Sequence, residues 1–168
     1  MKTDCKDIEI IGDNYLGSYK RTRYACRGVV IQDNQILLSY ATKKDFWMLP
    51  GGGREEGESE VDCIVRELSE ETGYVVIPQK QAVKVIEYYG DVRYVSFYFL
   101  CKIAGETTPK LTELEILCGL ERRWCSLKET MKIFSENEKY RDVYEEKRGA
   151  YLREYKALTK MIENNEIK

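Results

Sequence analysis

The sequence predicts one domain of mixed α/β or α+β class. Three observations carry that expectation. The 168 residues suit one folding unit, which at this size buries about two-thirds of its unfolded surface. Several runs rich in β-branched and aromatic residues end in short turn signals. A single capped amphipathic helix interrupts those runs, and a charged helical tail closes the chain. With 43% hydrophobic residues, neither a disulfide nor a second domain is needed for stability. The expected organisation is one domain over 1–168, with an N-terminal extension (1–23), a core (24–138) and a helical tail (139–168).

The elements follow in order. Ile8 to Ile11, ending in Gly12-Asp13-Asn14, reads as a strand and a turn. Tyr24–Gln32 and Gln35–Ala41 flank Asp33-Asn34 and form a hairpin, although the turn lacks a glycine. From Ser59 to Thr72, Val61, Ile64, Val65 and Leu68 recur at i, i+3, i+4 and i+7, a stripe for the core. Ser59 is placed as its N-cap, with Asp62 three residues on, and Gly73 stands just past its C-terminus. Val83–Tyr89 and Val92–Ile103 flank Gly90-Asp91 as a second hairpin, and Arg123 to Leu127 reads as one more short strand. From about Asp142 to Asn164 the chain mixes Leu152, Tyr155, Leu158 and Ile162 with many charges, a long amphipathic surface helix. Its apolar stripe covers either its own domain or a second copy in a homodimer.

Composition excludes several function classes. Lys plus Arg total 27 and Asp plus Glu 29, so the net charge is −2. That balance argues against a general affinity for nucleic acid or for an anionic membrane. The absence of His removes Ser-His-Asp and Cys-His machinery, and any zinc site built on imidazole. Cys5, Cys26, Cys63, Cys101, Cys118 and Cys125 form no C-x-x-C pair, so neither a zinc cluster nor a redox dithiol is spelled out. The first residues carry acids where a signal peptide needs an apolar core, and the longest apolar run, Tyr94 to Cys101, is too short to span a bilayer. A cytoplasmic protein with free thiols and no membrane partner is expected.

Chemistry concentrates in residues 54–71. Eight acids (Glu55, Glu56, Glu58, Glu60, Asp62, Glu67, Glu70, Glu71) meet only Arg54 and Arg66 there, a segment charge of −6 within a chain of −2. On the helix, Glu67, Glu70 and Glu71 fall within about 100° of arc. Like charges so close destabilise a helix. A hard divalent cation with oxygen ligands, Mg²⁺ or Mn²⁺, resolves the conflict. Just upstream, Leu49-Pro50-Gly51-Gly52-Gly53 lets the backbone come close to a ligand, so a carbonyl of Gly51 or Gly52 can complete a metal shell. Arg66 lies on the neighbouring face, placed to hold a carboxylate or to reach a phosphate.

These residues carry a resemblance. From Gly52 the chain reads five residues, Glu58, seven residues, then Arg66-Glu67-Leu68-Ser69-Glu70-Glu71-Thr72-Gly73-Tyr74. This resembles the signature of the Nudix hydrolases, G-x5-E-x7-R-E-U-x-E-E-x-G-U with U bulky and apolar. Every fixed Gly, Glu and Arg matches, and the one departure is Tyr74 at the last bulky position. The resemblance implies an α/β/α sandwich around a mixed sheet, here with an additional C-terminal helix. It also implies Mg²⁺- or Mn²⁺-dependent hydrolysis of a nucleoside diphosphate linked to another moiety. Carried onto this chain, Glu67 and Glu71 become metal ligands, with Glu70 a ligand or a water-orienting group. Glu58 ties the glycine loop to the helix, and Arg66 braces Glu70 or Glu67. The water's proton goes to Glu67 or to a carboxylate of a downstream loop, taken here as Thr112 to Glu115, with Glu115 the first choice and Glu113 the second.

Three readings stay open. Arg21, Arg23 and Arg27 alternate on one strand face, either gripping phosphates or forming a basic strand that is solvated or paired with the acidic tail. Trp47, with Phe46, either stacks on a base or packs in the core. Cys63 lies near the glutamate face and is taken as a small buried filler. The leading function is a pyrophosphohydrolase of a small nucleotide derivative. The alternative is a nucleotide-binding sensor that does not hydrolyse; it could do without a motif carboxylate, and none is missing.

Overall fold

Strand alternation sorts the apolar side chains onto two faces of one sheet in the computed structural model, which describes residues 6–168. Cys5 lies outside the described residues. The strands are β1 (Lys6–Ile11), β2 (Arg21–Gln32), β3 (Gln35–Ala41), β4 (Phe46–Met48), β5 (Gly51–Gly53), β6 (Tyr74–Tyr89), β7 (Val92–Glu106) and β8 (Leu120–Ser126). The helices are α1 (Glu60–Thr72), α2 (Glu113–Leu117), α3 (Leu127–Ser135) and α4 (Glu145–Glu163), with a 3-10 turn at Glu136–Tyr140. Strand order is β1-β6-β7-β2-β3-β4, β5 pairing with β2 and β8 with β3. The pairs β1–β6 and β2–β7 are parallel and the others antiparallel, so the sheet is mixed.

On one face α1 covers Cys26, Val30, Leu37, Val76, Phe99 and Cys101. On the other, α3 and α4 cover Val29, Ile36, Leu38, Val83, Val85 and Tyr98, with Phe134, Leu158 and Met161 coming from the helices. Helices on both faces of a mixed sheet make the expected α/β/α sandwich.

Local chemistry explains the turns. Asp33 (φ 51°) and Asn34 (φ 61°) both take the left-handed region that a two-residue hairpin turn demands, and both types tolerate it without glycine. β6 starts at Tyr74, well before Val83. Pro78 had masked this early part, and the register shifts on either side of it are how the strand accommodates a residue without an N–H. Gly51 to Gly53, expected as a loop, pair with Ala25 to Arg27 as β5.

The α1 caps are as read from the sequence. The Asp62 amide donates to the Ser59 hydroxyl at 3.1 Å, and Gly73 (φ 75°) ends the helix in the left-handed region. Its buried face is rotated from the expected stripe: Cys63, Ile64 and Leu68 are buried, Val65 is half-buried and Val61 is 50% exposed. The first turn approaches β5 through Cys63, whose Sγ lies 3.9 Å from the Gly52 carbonyl, and Val61 projects to the other side. Cys63 is thus the small buried filler it was taken to be.

The tail helix α4 is more than a surface helix. It buries Tyr151, Ala157, Leu158 and Met161, together with Lys147, Arg148 and Glu154, while Ile162 is exposed. A glutamate in the middle of the inward row hid that row from an apolar-periodicity search. The stripe covers this chain's own sheet, so it requires no second copy. Thr112 to Glu115, expected as a loop, is the capping box and first turn of α2. Among the described residues no helix is long and apolar enough to cross a membrane.

Candidate active site

The acidic helix meets the glycine strand at contact distance. Gly51 has φ 147°, and a Cβ there would fall 2.0 Å from the Cys26 carbonyl oxygen, a backbone atom that cannot step aside. A Cβ on Gly52 would lie 2.4 Å from the Glu67 carboxylate. β5 therefore lies flat on α1, and the Gly51 amide donates to Glu71 Oε2 at 2.9 Å.

Arg66 gathers the remaining acids. Its Nε and Nη2 donate to Glu58 at 2.7 and 2.9 Å, Nη1 to Glu67 at 2.7 Å and Glu70 at 3.2 Å, and Nη2 also to the Gly53 carbonyl at 3.0 Å. Glu58 accepts the Glu55 amide as well, at 2.9 Å, and so joins the glycine loop to the helix as expected. All five Arg66 donors are engaged, so it braces carboxylates; the other option, a phosphate contact, has no donor left. The Arg66 guanidinium holds the Glu58 carboxyl down at about 2. Burial raises Glu67 against the pull of Arg66. It pushes Glu71 up to about 7, opposed by the Ser39 hydroxyl, the Gly51 amide and Arg27.

Do these residues fit a divalent cation? Among the described residues no three acidic or thiol side chains already converge as a metal shell. Glu67 and Glu70 close on Arg66, and Glu71 closes on the Gly51 amide. The donor set nonetheless fits: hard carboxylate oxygens on one helix face beside the Gly51 and Gly52 backbone. Burial disfavours the charged form of two of these acids, and a cation would restore it.

Two cavities adjoin this face. A small one of about 170 Å³ is lined by Gly51, Glu71 and Glu115. A cleft of about 940 Å³ lies against it, the two sharing Phe46, Met48 and Glu146. Glu115 is thus brought beside Glu71, while its Oε2 accepts the Thr112 amide at 2.8 Å. Glu113 is exposed and lines neither cavity. Arg23 and Arg27 line the cleft and Arg21 does not. Arg27 Nη1 lies 3.3 Å from the carbonyls of both Leu49 and Gly51, so this arginine is anchored, not simply solvated. Trp47 stacks on Tyr40 with centroids 4.0 Å apart and lines neither cavity. Phe46 and Met48 line the cleft, whereas Trp47 packs against the core under α3 and α4, the second of its two open readings.

The sequence reading missed the far wall of the cleft. Glu87 is 3% exposed and stands on the inward row of β6 after Val83 and Val85. Arg153 of α4 faces it, with Nη1 3.5 Å from Glu87 Oε2. Arg153 Nε and Nη2 donate to Glu154 Oε1 at 3.0 and 2.8 Å, and Nε to the Tyr98 hydroxyl at 3.1 Å. The Tyr98 hydroxyl in turn donates to Glu154 at 3.2 Å. Burial pushes the Glu87 carboxyl up and Arg153 draws it back. A charge on an otherwise apolar strand row was the available signal.

Comparison with known proteins places this arrangement. A Bacillus subtilis (strain 168) protein provisionally named an ADP-ribose pyrophosphatase, YjhB, is 40% identical over 77 residues, 45% of this chain and 37% of its own. The mouse (Mus musculus) diphosphoinositol polyphosphate phosphohydrolase 3-alpha is 28% identical over 119 residues, 70% of each chain. The first three curated relatives are matched over only 27–37% of their own length. Among solved structures, a NUDIX hydrolase from Nitrosomonas europaea aligns with a TM-score of 0.56 at 23% identity, covering 64% of this chain and 74% of that one. A UDP-X diphosphatase aligns at 0.55 and 22%, covering 66% and 54%. These likenesses show the shared fold. Residues 22–147, most of the chain and all of the acidic segment, match the model of the NUDIX domain, and the chain belongs to that family.

Proposed function

We propose that this protein hydrolyses a pyrophosphate bond in a nucleoside diphosphate linked to another moiety, using Mg²⁺ or Mn²⁺. One observation carries the proposal: Glu71 is buried on the Gly51 amide in a small cavity that shares a wall with a cleft of about 940 Å³. Ligand pockets run from about 300 to 1,000 Å³, so the cleft suits a nucleotide derivative, with the acidic corner at one end. The names of the relatives, which include ADP-ribose and diphosphoinositol polyphosphate, share a phosphoric anhydride.

Glu67, Glu70 and Glu71, with the carbonyls of Gly51 and Gly52, would hold the cation. A cation bound there supplies charge neutralisation for the diphosphate and orients the attacking water. Arg66, fixed by Glu58, keeps Glu67 and Glu70 aligned without touching the substrate. Arg27 adds positive charge where the cleft meets β5. Glu67 and Glu115 are the candidates to take the water's proton, Glu115 because it shares the small cavity with Glu71. The free thiols of Cys26, Cys63, Cys101, Cys118 and Cys125 support a cytoplasmic setting.

The test is turnover of a panel of nucleoside diphosphate derivatives with Mg²⁺ or Mn²⁺, products being identified by mass. Glu67→Gln and Glu71→Gln are expected to lose on the order of a hundredfold in turnover while remaining folded. Unchanged turnover in both would overturn the proposal.

A further inference from the structure

The register across β6, β7 and β2 builds an unusual cleft floor. Val85 pairs with Ser96 and Ser96 with Ala25, so a rung of small residues leaves the floor low. The neighbouring rung pairs Glu87 with Tyr94 and Tyr94 with Arg23. Tyr89, Tyr94 and Phe46 supply flat walls, and α4 lays Gly149, Ala150 and Arg153 along the cleft.

This wall is polar beyond what the protein itself satisfies. The 3%-exposed Glu87 carboxylate has one partner, Arg153, at 3.5 Å, too far for a hydrogen bond; the shorter bonds of Arg153 go to Glu154 and Tyr98. Two further buried atoms along the same cleft, the Tyr89 hydroxyl and Arg27 Nε, have no hydrogen-bond partner. Buried polar groups are otherwise almost always satisfied, so these two unpartnered atoms beside a loosely paired Glu87 point to a ligand that satisfies them.

Building on the hydrolase reading, we infer that Glu87 and Arg153 determine specificity by reading a guanine-type edge, two adjacent N–H donors beside a carbonyl oxygen, on the nucleoside end of the substrate. An ionised carboxylate only accepts and a guanidinium only donates. Guanine presents its ring N–H and amino group side by side for Glu87 and its carbonyl for Arg153. Adenine sets one amino donor next to a bare ring nitrogen, which would face the carboxylate acceptor to acceptor. Uracil has a single N–H between two carbonyls. A sugar diol offers two donors, but it is not flat and brings no carbonyl to Arg153.

The experiment compares guanosine, adenosine and uridine diphosphate sugars of the same sugar as substrates of the full chain with Mg²⁺. Thermal stabilisation by GDP, ADP and UDP is measured alongside. Expected is a guanosine preference in KM and in thermal shift. In Glu87→Gln, which keeps the shape and replaces one acceptor by a donor, the guanosine-over-adenosine ratio of kcat/KM should fall about tenfold to a hundredfold. The fall should be carried by KM, and Glu87→Asp should restore part of it. A purely structural role would move all three substrates together. If Glu87→Gln does not fold, Arg153→Lys, which keeps the charge but loses the fork, is read in the same way. Hydrolysis blind to the base, a preference that follows the sugar, or equal losses for all three in the variant would each overturn the inference. Failure to consume any of the three defeats the hydrolase reading and takes this inference with it, a result distinct from hydrolysis without base preference.

Discussion

Arg66 and Arg153 each gather carboxylates, and they do so in different surroundings. Arg66 collects Glu58, Glu67 and Glu70 from one short stretch of chain, with its side chain 23% exposed and every donor bonded. Arg153 reaches from α4 onto β6 and β7, holding its own neighbour Glu154 together with Glu87 and the Tyr98 hydroxyl, which lie more than fifty residues earlier in the chain. The first cluster is local and partly wet, and its acids stay within reach of a cation. The second is dry, so its charges depend on one another. The contrast teaches that ion pairs of the same chemistry do different work: one set arranges the acidic corner, the other fixes where the last helix docks and leaves a carboxylate facing the cleft.

The largest effect should therefore come from the dry cluster. Arg153→Ala strands two buried carboxylates and is expected to cost about 3–5 kcal/mol of stability in urea denaturation. A loss below about 1 kcal/mol would break the contrast between the clusters. Arg66→Ala should cost less, about 1–3 kcal/mol, because solvent screens what it leaves behind, while turnover drops steeply. Measuring stability and turnover on the same preparation separates the two roles.

Acidification probes the wet cluster through Glu58. The Glu58 carboxyl sits at about 2 in the folded protein, below its ordinary 4.5, so its contribution is present above pH 4.5 and lost as pH falls toward 2. A stability-versus-pH curve of Glu58→Gln should be flatter than wild type across that window. Ser59→Ala removes the α1 cap and should cost about 1 kcal/mol. Smallest in stability is Gly52→Ala, whose new methyl meets only the movable end of Glu67. Displacing that carboxylate should still lower turnover, on the order of a hundredfold, with the melting temperature nearly unchanged.

The local cluster was legible in the amino-acid order because its parts lie in a single segment: the spacing from Gly52 to Gly73 reports helix, caps and acids together. The Asp33-Asn34 hairpin was legible for the same reason. Trp47 stayed open because its side depends on strand parity, and a strand of only three residues does not reveal that parity. Thr112-x-x-Glu115 carried a capping-box pattern, yet its brevity let it pass for a loop. Glu87 and the inward row of α4 were opaque for a deeper reason. Each charge is reasonable only beside partners that the fold supplies from elsewhere, and no local periodicity reports a distant counter-ion.

The docking of α4 carries a consequence for the order of events during synthesis. Every residue of the acidic helix and its glycine strand leaves the ribosome well before Glu145 does. A nascent chain at that stage would own the cation corner but only half a trough. The groove inferred to choose among nucleotides is finished only when the closing helix settles onto the strands, so any selectivity it confers should be the final property this polypeptide acquires as it folds.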